Sequence, residues 1–261
     1  MNEFYGLQAG FGPPIGLETL HELKRRSWEI VRLGVDHDYP RVDDLRESIV
    51  QVHRAGLLPL VTVDNPRQMF WTPPGTSIEL CNEPMYNWTL ANYREALSEA
   101  TAVARYRKHP LWVGCIPNTN KEHLAWLAEI IHVVDASVGI SIHRYPQDND
   151  DWPSTPRGDW RSRIEEVCAL RKVIGERRFA VTECGRHTAR MPRTWFRRRS
   201  LTDARVVRYA AWEFEFWRAR GAEFVCWYQL NDGPSDYFLD RYGIRRVNGE
   251  WKPVSLVPEK R

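Results

Sequence analysis

Two glutamates stand directly after short apolar runs, and their placement suggests acid–base chemistry. Glu83 follows Ser-Ile-Glu-Leu-Cys-Asn at residues 77–82, and Glu183 follows Phe-Ala-Val-Thr at residues 179–182. Cleavage of a glycosidic bond needs two carboxyl groups, one to protonate the leaving oxygen and one to attack or activate water from the opposite face. A separation of about 5–5.5 Å gives a covalent intermediate and retention, whereas a wider gap gives inversion. The stereochemical outcome therefore depends on how the elements that carry the two glutamates space their carboxyl groups.

Eight short runs rich in apolar and β-branched residues recur along the chain. Continuous apolar runs of this kind are typical of parallel strands that are buried on both faces. Eight strands alternating with helices in about 250 residues favour a closed barrel. We therefore expect an α/β fold in which residues 1–261 form a single (β/α)8 TIM barrel. The predicted strands are 4–9, 30–35, 58–63, 77–81, 111–116, 138–142, 179–182 and 223–228.

Amphipathic segments predict helices between most of these strands, but the third connection differs. Only residues 64–76 separate the third and fourth strands, and they include Pro66, Pro73 and Pro74. Proline disfavours a helix interior, so we expect the third helix to be reduced or missing. The alternative fold is an open, doubly wound sheet. Gly10, Gly12 and Gly16 miss the GxGxxG spacing that would favour it.

Composition excludes several classes of function. The chain has 261 residues, 43% hydrophobic and 27% charged, with a formal net charge of +3. That charge gives no reason to expect nucleic acid or a membrane as a partner. No signal peptide or transmembrane run is apparent, so we expect a cytoplasmic protein. The five cysteines include no CxxC pair, which predicts reduced, mostly buried thiols without a metal role.

In a TIM barrel the active site lies at the carboxyl ends of the strands, and the residues there resemble clan A glycoside hydrolases. The segment 78–84, Ile-Glu-Leu-Cys-Asn-Glu-Pro, is similar to the motif that ends strand four in that clan. The segment 181–185, Val-Thr-Glu-Cys-Gly, is similar to the end of strand seven. The end of strand three departs from some cellulase-like families, because Asp64-Asn65 stands where those families have a histidine.

The resemblance implies a retaining mechanism without cofactor or metal, acting on a carbohydrate substrate such as a β-linked glycoside or oligosaccharide. Glu83 would be the acid/base and Glu183 the nucleophile. Asn82 could bind the sugar 2-hydroxyl, a contact that strengthens in the transition state. The remaining expected substrate-site residues are Arg32, which supports the nucleophile, the pair His143 and Tyr145 beside it, and Trp227 as a sugar-stacking ring.

Two other functions remain open. A barrel that binds carbohydrate without turnover would have the same fold, although both carboxylates are retained here. A metal-dependent hydrolase or an aldolase would need clustered ligands or a strand-end lysine, and the sequence has neither. The arginine-rich stretch 186–205 is expected to be a solvated loop leading into a helix. Its alternative function is recognition of an acidic sugar through arginine–carboxylate pairs.

Overall fold

The computed structural model describes residues 5–9, 15–34, 42–145, 156–185, 202–232 and 243–258. Eight parallel strands close into a barrel in which each strand pairs with its neighbours in chain order and β1 pairs with β8. The predicted (β/α)8 barrel is therefore confirmed. The strands are β1 (Tyr5–Gln8), β2 (Ile30–Gly34), β3 (Leu58–Val63), β4 (Ser77–Leu80), β5 (Leu111–Ile116), β6 (Gly139–Arg144), β7 (Phe179–Cys184) and β8 (Val225–Tyr228).

Within the residue ranges given above, six α-helices accompany the strands. They are α1 (Leu17–Arg25), α2 (Val42–Arg54), α3 (Leu90–Arg107), α4 (Lys121–Ile131), α5 (Pro156–Ile174) and α6 (Asp203–Ala219). Between β3 and β4 the chain forms only a 3-10 helix, Pro66–Trp71, capped by Asn65. The predicted loss of the third helix is thus confirmed. Proline at the first helical position suits a short turn, because its missing N–H has no partner to lose there.

Strands β6 and β7 are longer than expected at their carboxyl ends. The sequence predicted that they stop at residues 142 and 182, whereas they continue through Arg144 and Cys184. The register between them shifts after Ile142, so that one extra residue of β7 is accommodated before His143 pairs with Glu183. Such a bulge changes which side chains point into a barrel, and it brings polar residues inward at the end of an apolar strand.

The barrel interior has an apolar lower layer and a polar upper layer. Trp112 and Phe224 fill the lower layer, with ring centroids 4.9 Å apart in an edge-to-face arrangement, and Arg178 lies 5.0 Å from the Trp112 ring. Gly139 of β6 faces the same indole, and a Cβ built at this position would overlap the Trp112 ring. The upper layer consists of polar side chains with almost no solvent exposure: Gln8, Arg32, Thr62, Glu79, Ser141, His143 and Thr182.

The helices bury the outer faces of the strands. Trp28, Phe214 and Trp217 are among the large side chains of this layer that have almost no solvent exposure. In the parts of the chain that the structure describes, no helix combines the length and the apolar character needed to cross a membrane. Apolar contacts therefore fill both the space between barrel and helices and the lower barrel, and the buried polar side chains collect inside the upper barrel.

We expect Gly139→Ala to destabilise the fold, because the added methyl group must displace the Trp112 ring from the barrel floor. Overpacking of this kind costs about 1–3 kcal/mol, which a urea titration of the purified protein measures. The control is Gly16→Ala, where an added Cβ has open space around it. Gly16 is the N-cap of α1, so a smaller loss of about 0.5–1 kcal/mol is expected from the poorer cap alone. Equal midpoints for the two variants would contradict the close approach.

Candidate active site

Arg32 lies at the centre of the polar layer. Its side chain points inward from β2 and is completely buried. Nη1 donates hydrogen bonds to Gln8 Oε1 at 2.8 Å and to Glu183 Oε1 at 2.5 Å. Nε donates to Glu79 Oε2 at 2.6 Å, and Nη2 to Asn82 Oδ1 at 2.9 Å. One guanidinium thus connects β1, β4 and β7 to the strand that carries it.

Glu79 is a buried counter-charge that the sequence prediction missed. It accepts hydrogen bonds from Arg32 and from the Thr62 hydroxyl, the latter at 2.9 Å. Burial acts to raise the pKa of Glu79, but the adjacent Arg32 guanidinium outweighs it and lowers the pKa below its usual value. A glutamate in β4 and an arginine in β2, each in the middle of an apolar run, were the signal for this pair, since buried charges require partners.

Glu183 is held by a donor on each carboxylate oxygen. Arg32 binds Oε1, and the Tyr145 hydroxyl donates to Oε2 at 2.7 Å. His143 Nδ1 lies 3.5 Å from the same Oε2. Only 9% of the Glu183 side chain is exposed. Hydrogen-bond donors on both oxygens therefore hold the Glu183 carboxyl group in one position.

Glu83 has a different environment. Its Oε1 lies 2.9 Å from His143 Nδ1, and 27% of its side chain is exposed. The residue adopts a left-handed backbone conformation, with φ at 47°, directly before Pro84. Non-glycine residues in this region are uncommon and cluster at functional sites. Glu83 is therefore the more open carboxyl group, and it reaches the site from a strained strand end.

His143 connects the two carboxyl groups. The ring is completely buried, with Nδ1 toward Glu83 and Glu183 and Nε2 at 3.0 Å from the sulfur of Cys115. Burial disfavours the charged imidazolium, but the interactions with Cys115, Glu183 and Glu83 outweigh it, and the pKa of His143 is raised well above its usual value. The ring therefore has a polar partner at both nitrogens.

Glu79, Cys115 and His143 form a group whose ligand atoms lie within 4.8 Å of one another, as a metal site would require. Arg32 already pairs with Glu79 and lies 4.0 Å from the Cys115 sulfur. Burial also raises the pKa of the Cys115 thiol, whereas a metal would need the thiolate. A cation at this point would have to displace Arg32, so the residues suit a hydrogen-bonded network better than a metal.

The expectation for Trp227 is corrected by the structure. Side chains alternate along a strand, and Cys226 belongs to the apolar barrel interior, so Trp227 points outward. It is completely buried against α6, with its ring 6.3 Å from those of Tyr209 and Phe214. The next residue, Tyr228, takes the inward position, with its ring 5.9 Å from that of Tyr145. Applying the alternation from Cys226 would have selected Tyr228 from the sequence.

The structure thus brings together six of the seven predicted site residues: Arg32, Asn82, Glu83, His143, Tyr145 and Glu183. It adds Gln8, Glu79, Cys115 and Tyr228 around them. Most of the arginine-rich stretch, residues 186–201, lies outside the described residues.

The fold is shared with solved glycoside hydrolases. A family 17 β-1,3-glucanosyltransferase from Rhizomucor miehei superposes with a TM-score of 0.71 at 9% identity, covering 97% of this chain and 96% of the other. An endo-β-1,4-glucanase from Xanthomonas axonopodis pv. citri gives 0.67 at 11% identity, covering 99% and 98%. A family 5 enzyme from Prevotella bryantii B14 gives 0.65 at 13% identity, covering 98% and 94%.

Sequence comparison adds nothing to this likeness, because no protein-family model and no curated protein sequence matches the chain. At the identities of the solved structures, the similarity is one of fold. The resemblance to clan A glycoside hydrolases that the strand-end motifs indicate is therefore confirmed for the architecture of the whole barrel.

We expect Glu79→Gln to destabilise the protein in a pH-dependent way, because it leaves buried Arg32 without one of its counter-charges. The lowered pKa of Glu79 means that its stabilising contribution is present above its ordinary value of 4.5 and is lost as pH falls through the lower folded value. The variant should be less stable by about 3–5 kcal/mol at neutral pH. The gap to the wild type should narrow in acid.

Urea titrations at pH 7 and at acidic pH measure this difference. The control is Glu99→Gln on α3, where the side chain is exposed and the change should stay within about 0.5 kcal/mol. A gap that is constant with pH would show that the Glu79 carboxylate does not stabilise Arg32.

Proposed function

We propose that this chain is a retaining O-glycoside hydrolase, with Glu183 as the nucleophile and Glu83 as the acid/base. The observation that carries the proposal is the shared contact of the two carboxyl groups with one atom, Nδ1 of His143. Glu83 Oε1 lies 2.9 Å from this nitrogen and Glu183 Oε2 lies 3.5 Å from it. The function rests on this local chemistry, because one fold supports many activities.

The shared contact also limits the distance between the carboxyl groups. Oε1 of Glu83 and Oε2 of Glu183 can be no farther apart than the sum of their two distances to Nδ1. That limit is compatible with the about 5–5.5 Å separation of retaining enzymes. The anomer that the enzyme releases first decides between double displacement and inversion.

Glu183 suits the nucleophile because donors hold both of its carboxylate oxygens in place. Arg32 and Tyr145 each donate to one of its oxygens, and it is the less exposed of the two carboxyl groups. In the first step, Glu183 attacks the anomeric carbon and forms a glycosyl ester, while the bond to the leaving oxygen breaks. The same donors stabilise the carboxylate when it leaves again in the second step.

Glu83 suits the acid/base because it has one polar partner in the site and access to solvent. Its Oε1 faces His143, so the proton for the leaving group is carried on Oε2. Glu83 gives this proton to the glycosidic oxygen as the bond breaks. As a carboxylate it then accepts a proton from the water that attacks the ester. Atoms and charges balance over the two steps, and the product keeps its anomeric configuration.

β-Glucans are the substrates to test first. The fold relatives comprise a β-1,3-glucanosyltransferase, an endo-β-1,4-glucanase and an endo-laminarinase from Formosa Hel1_33_131. Asn82 would bind the 2-hydroxyl of the reacting sugar, since its amide is fixed beside the carboxylates by Arg32. Tyr145 and Tyr228 present an aromatic wall against which the flat apolar face of a sugar ring could stack.

The proposed function is tested by turnover of aryl β-glycosides, laminarin and β-1,4-glucan, with the product anomer followed by proton NMR. We expect the wild type to release the β anomer first, and Glu183→Gln to abolish turnover. Glu83→Gln should lose about 10²–10⁴-fold on substrates with poor leaving groups. Its loss should be smaller on aryl glycosides whose leaving group needs no proton.

Glu99→Gln is the matched control, because it changes an exposed glutamate on α3 to the same amide. Initial release of the α anomer would refute the double displacement. Saturable sugar binding without turnover would instead identify a carbohydrate-binding barrel. Turnover that survives in Glu183→Gln would refute the assignment of the nucleophile.

A second prediction separates Tyr228 from Trp227. Tyr228→Ala removes the inward ring beside Tyr145, so KM should rise about tenfold, as expected for one lost aromatic contact. Trp227→Phe changes a ring packed on α6, so it should lower the urea midpoint and leave KM within about twofold of the wild type. The opposite pattern would restore Trp227 as the sugar-stacking residue.

A further inference from the structure

The thiol of Cys115 occupies the middle of the candidate site without a part in the steps above. Its sulfur lies 3.0 Å from His143 Nε2, 3.9 Å from Asn82 Oδ1 and 4.0 Å from Arg32 Nη2. The residue is completely buried, so a substrate cannot reach the sulfur. Any effect of Cys115 on the reaction must therefore pass through the side chains that it contacts, of which His143 is the nearest.

A backbone irregularity turns this thiol inward. Gly114 pairs with Ser141 and Ile116 pairs with Ile142, so Cys115 is an extra residue in β5 relative to β6. Gly114 has φ at 101° and Cys115 has φ at 37°, a left-handed conformation that a residue with a side chain rarely adopts. Without the extra residue, the alternation of side chains would place Cys115 against the helix layer. Bulges that re-aim a side chain are concentrated beside active sites.

The five groups around His143 come from four strands or their ends. They are Cys115 on β5, Glu79 on β4, Glu83 after β4, Glu183 on β7 and Arg32 on β2. The two carboxyl groups that face the ring lie on its Nδ1 side, and the thiol lies on its Nε2 side. The ring is therefore placed between the reacting groups and a neutral partner.

The thiol at Nε2 and the carboxyl groups at Nδ1 together favour hydrogen on Nδ1, because the thiol can donate to Nε2 whereas an ionised carboxylate can only accept. Burial raises the pKa of Cys115, so the sulfur keeps its proton. When the imidazole is neutral, the S–H donates to Nε2 and the ring hydrogen must be on Nδ1. When the imidazole is charged, both nitrogens carry hydrogen and the sulfur accepts from Nε2. In both states Nδ1 presents an N–H to Glu83 and Glu183.

We propose that Cys115 is a positioning residue that fixes the tautomer of His143, so that Nδ1 always donates toward the two catalytic carboxyl groups. This inference rests on the proposed function for its effect on the reaction. The tautomer itself does not depend on that function. The N–H toward Oε1 of Glu83 keeps the transferable proton on the other oxygen, where it can reach the leaving group.

The first experiment is NMR of the full-length protein labelled with ¹⁵N at histidine, with the His143 signals assigned by His143→Gln. We expect hydrogen on Nδ1 throughout the pH range in which the protein is folded. In Cys115→Ala the charged ring loses its acceptor at Nε2, so its titration midpoint should fall. Cys115→Ser should restore the wild-type signals, because a hydroxyl can donate and accept in the same way.

Kinetics provides the second measurement, with Cys226→Ala as a matched control that removes an equally buried barrel thiol. Cys115→Ala should lower kcat about tenfold with KM within about twofold, as expected when a buried hydrogen bond is lost. The pH profile of kcat in Cys115→Ala should also shift relative to that of the wild type. Cys115→Ser should recover kcat to within about threefold of the wild type, and Cys226→Ala should resemble the wild type in both constants.

Four outcomes would overturn the inference. In the wild type, a neutral ring with hydrogen on Nε2 and none on Nδ1 would exclude the proposed tautomer even if Cys115→Ala did not fold. An unchanged His143 titration midpoint in Cys115→Ala would exclude control by the thiol. So would His143 signals in Cys115→Ser that differ from those of the wild type. Equal kinetics for Cys115→Ala and Cys226→Ala would exclude an effect on the reaction. Because NMR needs no substrate, failure of the glycosidase assignment would be seen separately, in the Glu183→Gln assay.

Discussion

The burial of the Arg32 guanidinium is the constraint on which the polar half of the barrel depends. A cation taken out of water needs opposite charge and a hydrogen-bond acceptor for its N–H groups. Here the acceptors come from Gln8, Glu79, Asn82 and Glu183. The requirement of one side chain thus fixes the position of the candidate nucleophile and of the amide next to the candidate acid. Under the proposed function, the arrangement that would bind the sugar is the one that also satisfies the buried charge.

The two carboxyl groups differ because the hydrogen bonds of Arg32 reach Glu183 and do not reach Glu83. Glu183 receives donors on both oxygens and is nearly buried, whereas Glu83 meets only His143 among the polar contacts described above and keeps part of its surface in solvent. A pair of acids with unequal surroundings can divide the roles of nucleophile and proton carrier. His143 contacts both carboxyl groups, so a change in one of them can affect the other through the imidazole ring.

The strands and the missing third helix follow from the sequence, because apolar runs and prolines are local signals. The six site residues follow from the strand ends together with the resemblance to the clan A motifs. The prediction that Trp227 lies in the site was wrong for a local reason. The alternation of side chains from Cys226 was not applied, and it places Trp227 on the outside of the barrel. Cys115 and Glu183 depend instead on extra residues in β5 and β7 relative to β6. A bulge reverses the facing of one side chain and has no reliable signature in composition. Glu183 was found only because its carboxylate stands in a motif, and Cys115, which stands in none, was taken for an ordinary core residue.

The contact between Gly139 and Trp112 on the barrel floor has a consequence for sequence variation. The indole occupies the volume into which any side chain at position 139 would extend, so each residue sets the space available to the other. A lineage could enlarge position 139 only after, or together with, a reduction at position 112. Aligned descendants of this chain should therefore show the two positions changing as a correlated pair of nearly constant combined volume. The pair would vary independently of the catalytic end of the barrel, since its contacts lie in the layer beneath the polar residues.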